Sequence, residues 1–138
     1  MIENIRANAE IVIAQMGQLS GFEFGYNQES VEWLEGYIER QRESGTFEDE
    51  ATRSKLASVL GSYLGECIVR VHGGSWQQTE HGWAIVFDQG NAAFPFAKIQ
   101  KQMENGLEDG IASFFNTIPL LCAFEEPRED KKPWWKVW

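Results

Sequence analysis

The fold is decided by the stretch LASVLGSYLGECIVRVH, residues 56–72, which carries the strongest periodic pattern in the chain. Its apolar side chains recur in alternating steps of three and one, at Leu56, Val59, Leu60, Tyr63, Leu64, Cys67, Ile68 and Val71. This spacing predicts an amphipathic helix that begins near Asp49 and ends at Gly73. Gly61 and Gly65, inside the helix, each cost about 1 kcal/mol relative to alanine. Because Gly65 points away from the apolar stripe, we expect a neighbouring element to cover the helix on that second side.

Two further helices are predicted before this one. Residues 2–16 place apolar side chains at helical spacing, and we expect Gly17 to end that helix. Asn27 is a good N-cap for a second helix, with Glu29 favourably placed near its positive end, and Gly45 marks where that helix stops.

After the double glycine the apolar period changes from helical to alternating. Residues 83–88 read as a half-buried strand, and residues 75–79 and 92–94 would complete a three-stranded antiparallel meander. Pro95 suits the first turn of a fourth helix at about 96–104. A fifth helix is predicted at about 107–118, with Leu107 facing inward. The sequence therefore predicts an α+β fold with three helices, a three-stranded meander and two more helices.

Composition places this chain among globular proteins. Its 138 residues suit one domain, and a 43% hydrophobic content excludes a disordered chain. We expect a single domain over residues 1–124 and a tail over 125–138. The formal net charge of −9 argues against nonspecific nucleic-acid binding, which depends on cationic side chains, and favours a basic protein partner.

The sequence also bears on compartment and redox state. No apolar run approaches the roughly 18–20 residues that span a bilayer, so we expect a cytoplasmic protein with no transmembrane segment. Cys67 and Cys122 lie far apart without a CxxC spacing. No disulfide is required, although a single bridge between the two stays open as an alternative.

One group of residues resembles a catalytic or metal-binding set: Glu66, Cys67, His72 and His81. Neither HxxxH nor HExxH occurs, and the chain has no P-loop, GxGxxG or GxSxG motif. We therefore predict no cofactor and no bound metal. A hydrolase-like or metal-dependent enzyme built on Glu66, His72 and His81 is the alternative.

Glu66 and Arg70 lie four residues apart and can pair along the third helix. One interpretation is a structural ion pair. The other is a carboxylate that contacts a ligand beside Gly65.

The second helix carries a stripe of four glutamates: Glu32, Glu35, Glu39 and Glu43. Like charges one turn apart repel by a few tenths of a kcal/mol. The stripe is either a solvated face or an anionic docking surface for a basic partner, whose association it would accelerate.

The tail combines Trp134, Trp135 and Trp138 with three lysines. Tryptophan is enriched where an apolar surface meets a wet one. Three alternatives remain open: the tail folds back on the domain, binds a partner as an adaptor segment, or anchors at a membrane surface.

Four runs carry a resemblance to a known family: Leu60–Glu66 (LGSYLGE), Gly73–Trp76 (GGSW), Phe94–Lys98 (FPFAK) and Glu104–Ile111 (ENGLEDGI). Over residues 56–118 the chain resembles small bacterial proteins of unknown function, some of which look like immunity proteins. The resemblance implies an immunity-type role and supplies no catalytic residues. Combined with the acidic second helix, it leads us to expect a non-enzymatic binding protein, such as an immunity-type inhibitor of a basic protein. The candidate contact residues come from the preceding arguments on charge and packing, and they are the four glutamates of the stripe, Gly65, Glu66, Arg70, Trp76 and the three tail tryptophans.

Overall fold

The fold is described by a computed structural model that covers residues 2–88 and 90–124, with side chains described as far as residue 120. Its longer elements are α1 (Ile2–Ser20), α2 (Gln28–Glu43), α3 (Glu50–His72), β1 (Ser75–Thr79), β2 (Gly82–Val86), β3 (Ala92–Ala93), α4 (Pro95–Asn105) and α5 (Ile111–Phe124). Two short 3-10 turns lie at Thr46–Glu48 and Gly106–Asp109. The α+β prediction is confirmed in class and in element order.

Helix α3 is the central element of the fold. Every residue from Gly61 to Ile68 is buried, on all sides of the helix. Helices α1 and α4 pack against it, and β2 contacts it from the sheet. The predicted covering of its second side is therefore confirmed.

Side-chain N-caps start both α2 and α3. The Asn27 side chain accepts a hydrogen bond from the Ser30 N–H at 2.8 Å, as predicted for an N-cap. Asp49 accepts from the Thr52 N–H at 2.9 Å and starts α3 in the same way. These bonds satisfy donors that the first turn of a helix leaves without a partner.

The sheet is a meander in the order β1-β2-β3, with both pairs antiparallel. In its register Trp76 lies opposite Ile85, and Ile85 lies opposite Ala93. This places the apolar side of the sheet, including Trp76 and Ile85, against the helices.

Two predicted helix boundaries are wrong. Helix α1 passes through Gly17 and ends at Ser20, because a glycine weakens a helix without obliging it to stop. The predicted fifth helix at 107 is instead a 3-10 turn, entered through Gly106 at φ +77°, and α5 begins at Ile111. Leu107 therefore faces the solvent with 59% exposure instead of pointing into the core.

Along the part of the chain that the structure describes, no helix is both long enough and apolar enough to cross a membrane.

Candidate functional site

Helix α3 uses its two interior glycines to bring aromatic rings against its backbone. A Cβ at Gly65 would lie 2.1 Å from Trp76 Cη2, and one at Gly61 would lie 2.4 Å from Phe96 Cδ1. Both distances are far below van der Waals contact, so a side chain at either position must displace a ring. The candidate site residues Gly65 and Trp76 are therefore brought together, as two sides of one packing contact.

The Glu66 carboxylate is hydrogen-bonded to the same indole. Trp76 Nε1 donates to Glu66 Oε2 at 2.8 Å, and Arg70 Nε donates to Oε1 at 3.4 Å. Glu66 is 3% exposed, and each of its carboxylate oxygens accepts a hydrogen bond, one from the buried Trp76 and one from the half-exposed Arg70. A buried carboxylate requires such partners. The arrangement is that of the structural ion pair.

The Arg70 guanidinium continues this network to the N-terminal part of the chain. It lies over the Tyr26 ring, 4.0 Å from the ring centroid, and the Tyr26 hydroxyl donates to Glu10 Oε2 at 2.5 Å. Burial, together with the neighbouring Glu10 carboxylate, raises the pKa of the Tyr26 hydroxyl above its usual value. Strand β1, helix α3, the connector after α1 and α1 itself are thus joined by one chain of polar contacts.

A second polar junction fixes the start of α5. The Ile111 N–H donates to Gln102 Oε1 at 3.1 Å, and Gln102 Nε2 donates to the Glu35 carbonyl at 2.9 Å. The Glu35 carboxylate hydrogen-bonds to the backbone of Ala112, and a Cβ at Gly110 would lie only 2.3 Å from Glu35 Oε1. Burial raises the pKa of the Glu35 carboxyl, and the bond to Ala112 acts in the opposite direction. Helices α2 and α4 therefore cap α5 together.

The four glutamates of the stripe do not share one exposed surface. Glu35 is half-buried at the α5 cap, and Glu39 is half-buried beside Gly106, with Oε2 3.6 Å from Arg42 Nη1. Glu32 and Glu43 remain exposed. We call Glu32 and Glu43, with the exposed Glu29, the outer acidic face of α2.

Lys98 and Asp109 connect two of the runs that carry the family resemblance. Lys98 is buried in α4, and its Nζ lies 3.5 Å from Asp109 Oδ1. Burial lowers the pKa of the Lys98 ammonium, while Asp109 opposes that shift. Together with the contacts of Gly61 and Gly65, this pair shows that residues of all four runs take part in packing and ion pairing.

The residues of the enzyme alternative make contacts in different parts of the molecule. Glu66 is bound by Trp76 and Arg70, whereas His72 packs on Phe115 with 4.4 Å between ring centroids. His81 is exposed in the β1–β2 turn. Burial lowers the pKa of His72, and a hydrogen bond to the backbone of Phe115 acts against it.

Cys67 offers no reactive thiol. It is a free cysteine, fully buried in α3, and burial raises its pKa to about 12. The thiolate is the nucleophilic form of cysteine. Among the side chains that the structure describes, no three or more His, Cys, Asp or Glu residues are grouped so that they could hold a metal ion. The tail residues Trp134, Trp135 and Trp138 lie outside the described residues.

One open groove lies between α1, α3, β2 and α4. Its volume is about 560 Å³, and it is lined by Asn4, Ile5, Ala7, Asn8, Ser58, Ser62, Trp83 and Phe96. None of these side chains carries a charge. The Ser62 hydroxyl donates to the Ser58 carbonyl at 2.8 Å, which leaves Asn4, Asn8 and the Ser58 hydroxyl as the polar groups of the walls. Trp83 Nε1 is covered and has no acceptor within the described residues.

Comparisons with known proteins identified no relative of this chain. No protein-family model, curated protein or solved structure matches the chain.

The groove was not predicted from the sequence. Its lining residues come from four separate elements, and each one is a common surface or core residue by itself. Helical spacing does put Asn4 and Asn8 on one face of α1, and Ser58 and Ser62 on one face of α3. The spacing alone does not show that these two helix faces lie side by side in the fold.

Proposed function

We propose that this chain is a non-enzymatic binding protein, and that the groove between α1, α3, β2 and α4 receives an uncharged segment of a partner protein. The observation that carries the proposal is the lining of the groove. Two asparagines, a serine hydroxyl and two aromatic rings meet there without a charged group.

These side chains match the chemistry of a neutral peptide segment. An asparagine amide offers both a donor and an acceptor, which is what a peptide group presents in return. The rings of Trp83 and Phe96 supply apolar surface for a side chain of the partner. A volume of about 560 Å³ is within the range of roughly 300–1,000 Å³ that is typical of ligand sites.

The contacts of Glu66, Cys67 and His72 support a non-enzymatic function. Glu66 is held by two donors, and Cys67 is buried with a raised pKa. His72 is packed on Phe115. A general base or nucleophile must reach a substrate atom at hydrogen-bond distance. Each of these groups is instead occupied in packing or in a polar contact of the fold.

A basic partner protein is a second candidate, and one observation favours it. Glu29, Glu32 and Glu43 are exposed along α2, in an N-terminal part of the chain that is rich in acidic residues. Such a surface would accelerate association with a basic protein at low salt. The immunity-type role would add that this partner is a toxin, and it rests on the motif resemblance.

Binding in the groove can be tested with a blocking substitution and a matched control. Ser58→Trp places an indole in the groove from an exposed position of α3. Ser54→Trp is the control, because it adds the same side chain at an exposed position one turn earlier that does not line the groove. The probes are fluorescein-labelled pools of neutral, end-capped tetrapeptides, followed by anisotropy. We expect at least one pool to bind the native chain and Ser54→Trp, and Ser58→Trp to bind it at least about tenfold more weakly, a difference of about 1.4 kcal/mol. Equal binding by Ser58→Trp, or no binding of any pool to the native chain, contradicts the proposal.

The outer acidic face needs a different test. Glu32→Lys with Glu43→Lys reverses charge at two exposed positions and leaves the α5 cap at Glu35 intact. If a basic protein docks there, association with a polylysine probe should slow most at low salt. Unchanged association rates at low salt would remove this second candidate.

A further inference from the structure

The far end of the tail reverses the charge of the rest of the chain. Residues 1–124 contain 17 acidic and 8 basic side chains, whereas residues 131–138 contain three lysines and no acidic side chain. In the run KKPWWKVW these lysines stand beside Trp134, Trp135 and Trp138. We call residues 131–138 the basic end of the tail. Because it belongs to the same chain, a cationic segment of this kind meets an anionic face of the protein at a high effective concentration.

The course of the chain toward the tail leads to the N-terminal end of α2. A Cβ at Gly106 would lie 3.4 Å from Glu39 Oε1, and one at Gly110 would clash with Glu35 Oε1. Between these two glycines the chain therefore moves one turn back along α2. Helix α5 follows directly and packs against α2, so in this direction it runs antiparallel to it. The tail thus leaves α5 near the end of α2 that carries Glu32.

The outer acidic face of α2 offers carboxylates at a spacing that the lysines can match. Glu29 and Glu32 lie one turn apart, and Glu43 follows about 16 Å farther along the helix. On the tail, residues 131–132 are both lysines, and Lys136 follows at most about 14 Å away in an extended chain. Each set has two charges close together and a third farther along, and a lysine side chain is long enough to make up the difference.

Gly36 lies on this face between the two groups of glutamates. A glycine inside a helix is less favourable than alanine and needs a packing reason. At the other three glycines inside the helices α1 and α3, the atom nearest to an added Cβ belongs to an aromatic residue. The pairs are Gly17 with Phe24, Gly61 with Phe96, and Gly65 with Trp76. At Gly36 only the end of the Arg40 side chain comes within 4 Å, so no ring of the described residues lies over it.

We propose that the basic end of the tail docks on the outer acidic face of α2, with its lysines on the glutamates and the indole of Trp134 or Trp135 over Gly36. The order along the chain fits, because both tryptophans stand between the lysine pair and Lys136, as Gly36 stands between the glutamates. The docked tail covers the surface that the second candidate function assigns to a basic partner, and such a partner must displace it. That consequence rests on the second candidate function, whereas the docking itself rests on neither.

The arginines next to this face are compatible with the docked tail. Arg42 pairs with Glu39, and the Arg40 guanidinium lies 5.6 Å from the centroid of the Trp33 ring. A guanidinium also attracts the face of a second aromatic ring. An indole over Gly36 would lie beside Arg40 and use that attraction.

Zero-length cross-linking locates the tail in the full native chain. A water-soluble carbodiimide joins a lysine amine to a carboxylate in direct contact with it, and peptide mass spectrometry identifies the pair. In the monomer band we expect the tail lysines to be joined to Glu29, Glu32 or Glu43, and not to Glu80 or Asp88, which are exposed on the sheet side of the molecule. Equal linkage to these two control residues, or no link to any described carboxylate, overturns the proposal. So do links to α2 that occur only in a dimer band, since the tail of a second copy would then be the occupant.

A substitution at Gly36 tests the contact with the indole. Gly36→Gln fills the place over the helix, and only the flexible end of Arg40 must move, so α2 keeps its fold. In a ¹⁵N-labelled chain we expect the indole N–H signal of Trp134 or Trp135 to shift. Ser54→Gln, exposed on α3, is the control and should leave both signals in place. Tail signals that ignore Gly36→Gln, or that respond equally to both substitutions, overturn the proposal. Neither measurement uses the groove or a basic probe, so a negative result concerns the tail alone.

Discussion

The indole of Trp76 lies directly over the backbone of Gly65, with Cη2 only 2.1 Å from where a Cβ would be. The same ring donates its N–H to the next residue, Glu66. Gly65 and Glu66 were candidate ligand contacts in the sequence. In the structure both contact the buried Trp76: Gly65 packs against the ring, and Glu66 accepts its N–H.

Gly65→Ala should destabilise the protein, because its methyl group must displace Trp76. We expect a loss of about 1–3 kcal/mol, which exceeds the gain of up to about 1 kcal/mol in helix propensity. Gly17→Ala is the matched control, since its Cβ would meet nothing closer than Phe24 Cβ at 3.9 Å. It should stabilise α1. Urea denaturation checks both, and midpoints that move in the same direction would contradict this packing.

Trp76→Phe removes the donor to Glu66 while keeping an aromatic ring. We expect a cost of about 1–3 kcal/mol, because one oxygen of a buried carboxylate loses its partner. The cost should be smaller in a Glu66→Gln background, where the acceptor is neutral. A double-mutant cycle by urea denaturation measures this coupling. Strict additivity of the two substitutions would show that the bond does not contribute to stability.

Gly110→Ala tests the cap of α5. The backbone of Gly110, at φ −64°, accepts alanine, but the new Cβ occupies the place of the Glu35 carboxylate. That flexible side chain can move away and lose its bond to Ala112, so the cost should be about 1 kcal/mol, as for a lost cap. Glu35→Ala should cost about the same. The double variant should cost little more than either single one, and a fully additive result would contradict the shared contact.

The contact of Trp76 with α3 and the cap of α5 show what the sequence could and could not predict. The 3.6-residue period of α3 and the N-cap at Asn27 are local signals, and they predicted α3 and the start of α2 correctly. The covering of Gly65 was predicted as well, because a glycine inside a helix needs a packing reason. That Trp76 would be the cover depends on the strand register, which is not a local property.

For the acidic stripe, the sequence could not predict which of the four glutamates are exposed. A helical projection places Glu35 and Glu39 beside Glu32, but it cannot say which edge of α2 a later helix will cover. The start of α5 was misplaced for a related reason. Leu107 continues the apolar spacing of α5, whereas the turn at Gly106 points it into solvent.

His72 should make stability fall as the pH drops below about 6.5. Burial lowers the pKa of His72 in the folded protein, so the unfolded chain binds a proton first as pH falls. Stability from this group is full above the unfolded pKa, near 6.5, and decreases as pH drops through the folded value. His72→Gln should flatten the pH dependence of the unfolding free energy in this range of pH. An unchanged slope in His72→Gln would contradict this account.

Cys67 should resist thiol reagents in the folded protein. Its burial and its pKa of about 12 leave almost no accessible thiolate at pH 8. In a Cys122→Ser chain, we expect an aromatic disulfide reagent to release no product until urea unfolds the protein, and then one equivalent per chain. Rapid reaction under native conditions would mean that the core around α3 opens.

The most direct test of the groove is the indole N–H resonance of Trp83 in a ¹⁵N-labelled chain. The peptide pool that binds best by anisotropy is added in steps, and the indole signals are followed by two-dimensional NMR. The account predicts a saturable shift of the Trp83 signal and no shift for Trp33, which is stacked on Tyr37 in α2, outside the groove lining. A stationary Trp83 signal at saturation, or a larger shift at Trp33, would contradict the claim that the groove is the binding site.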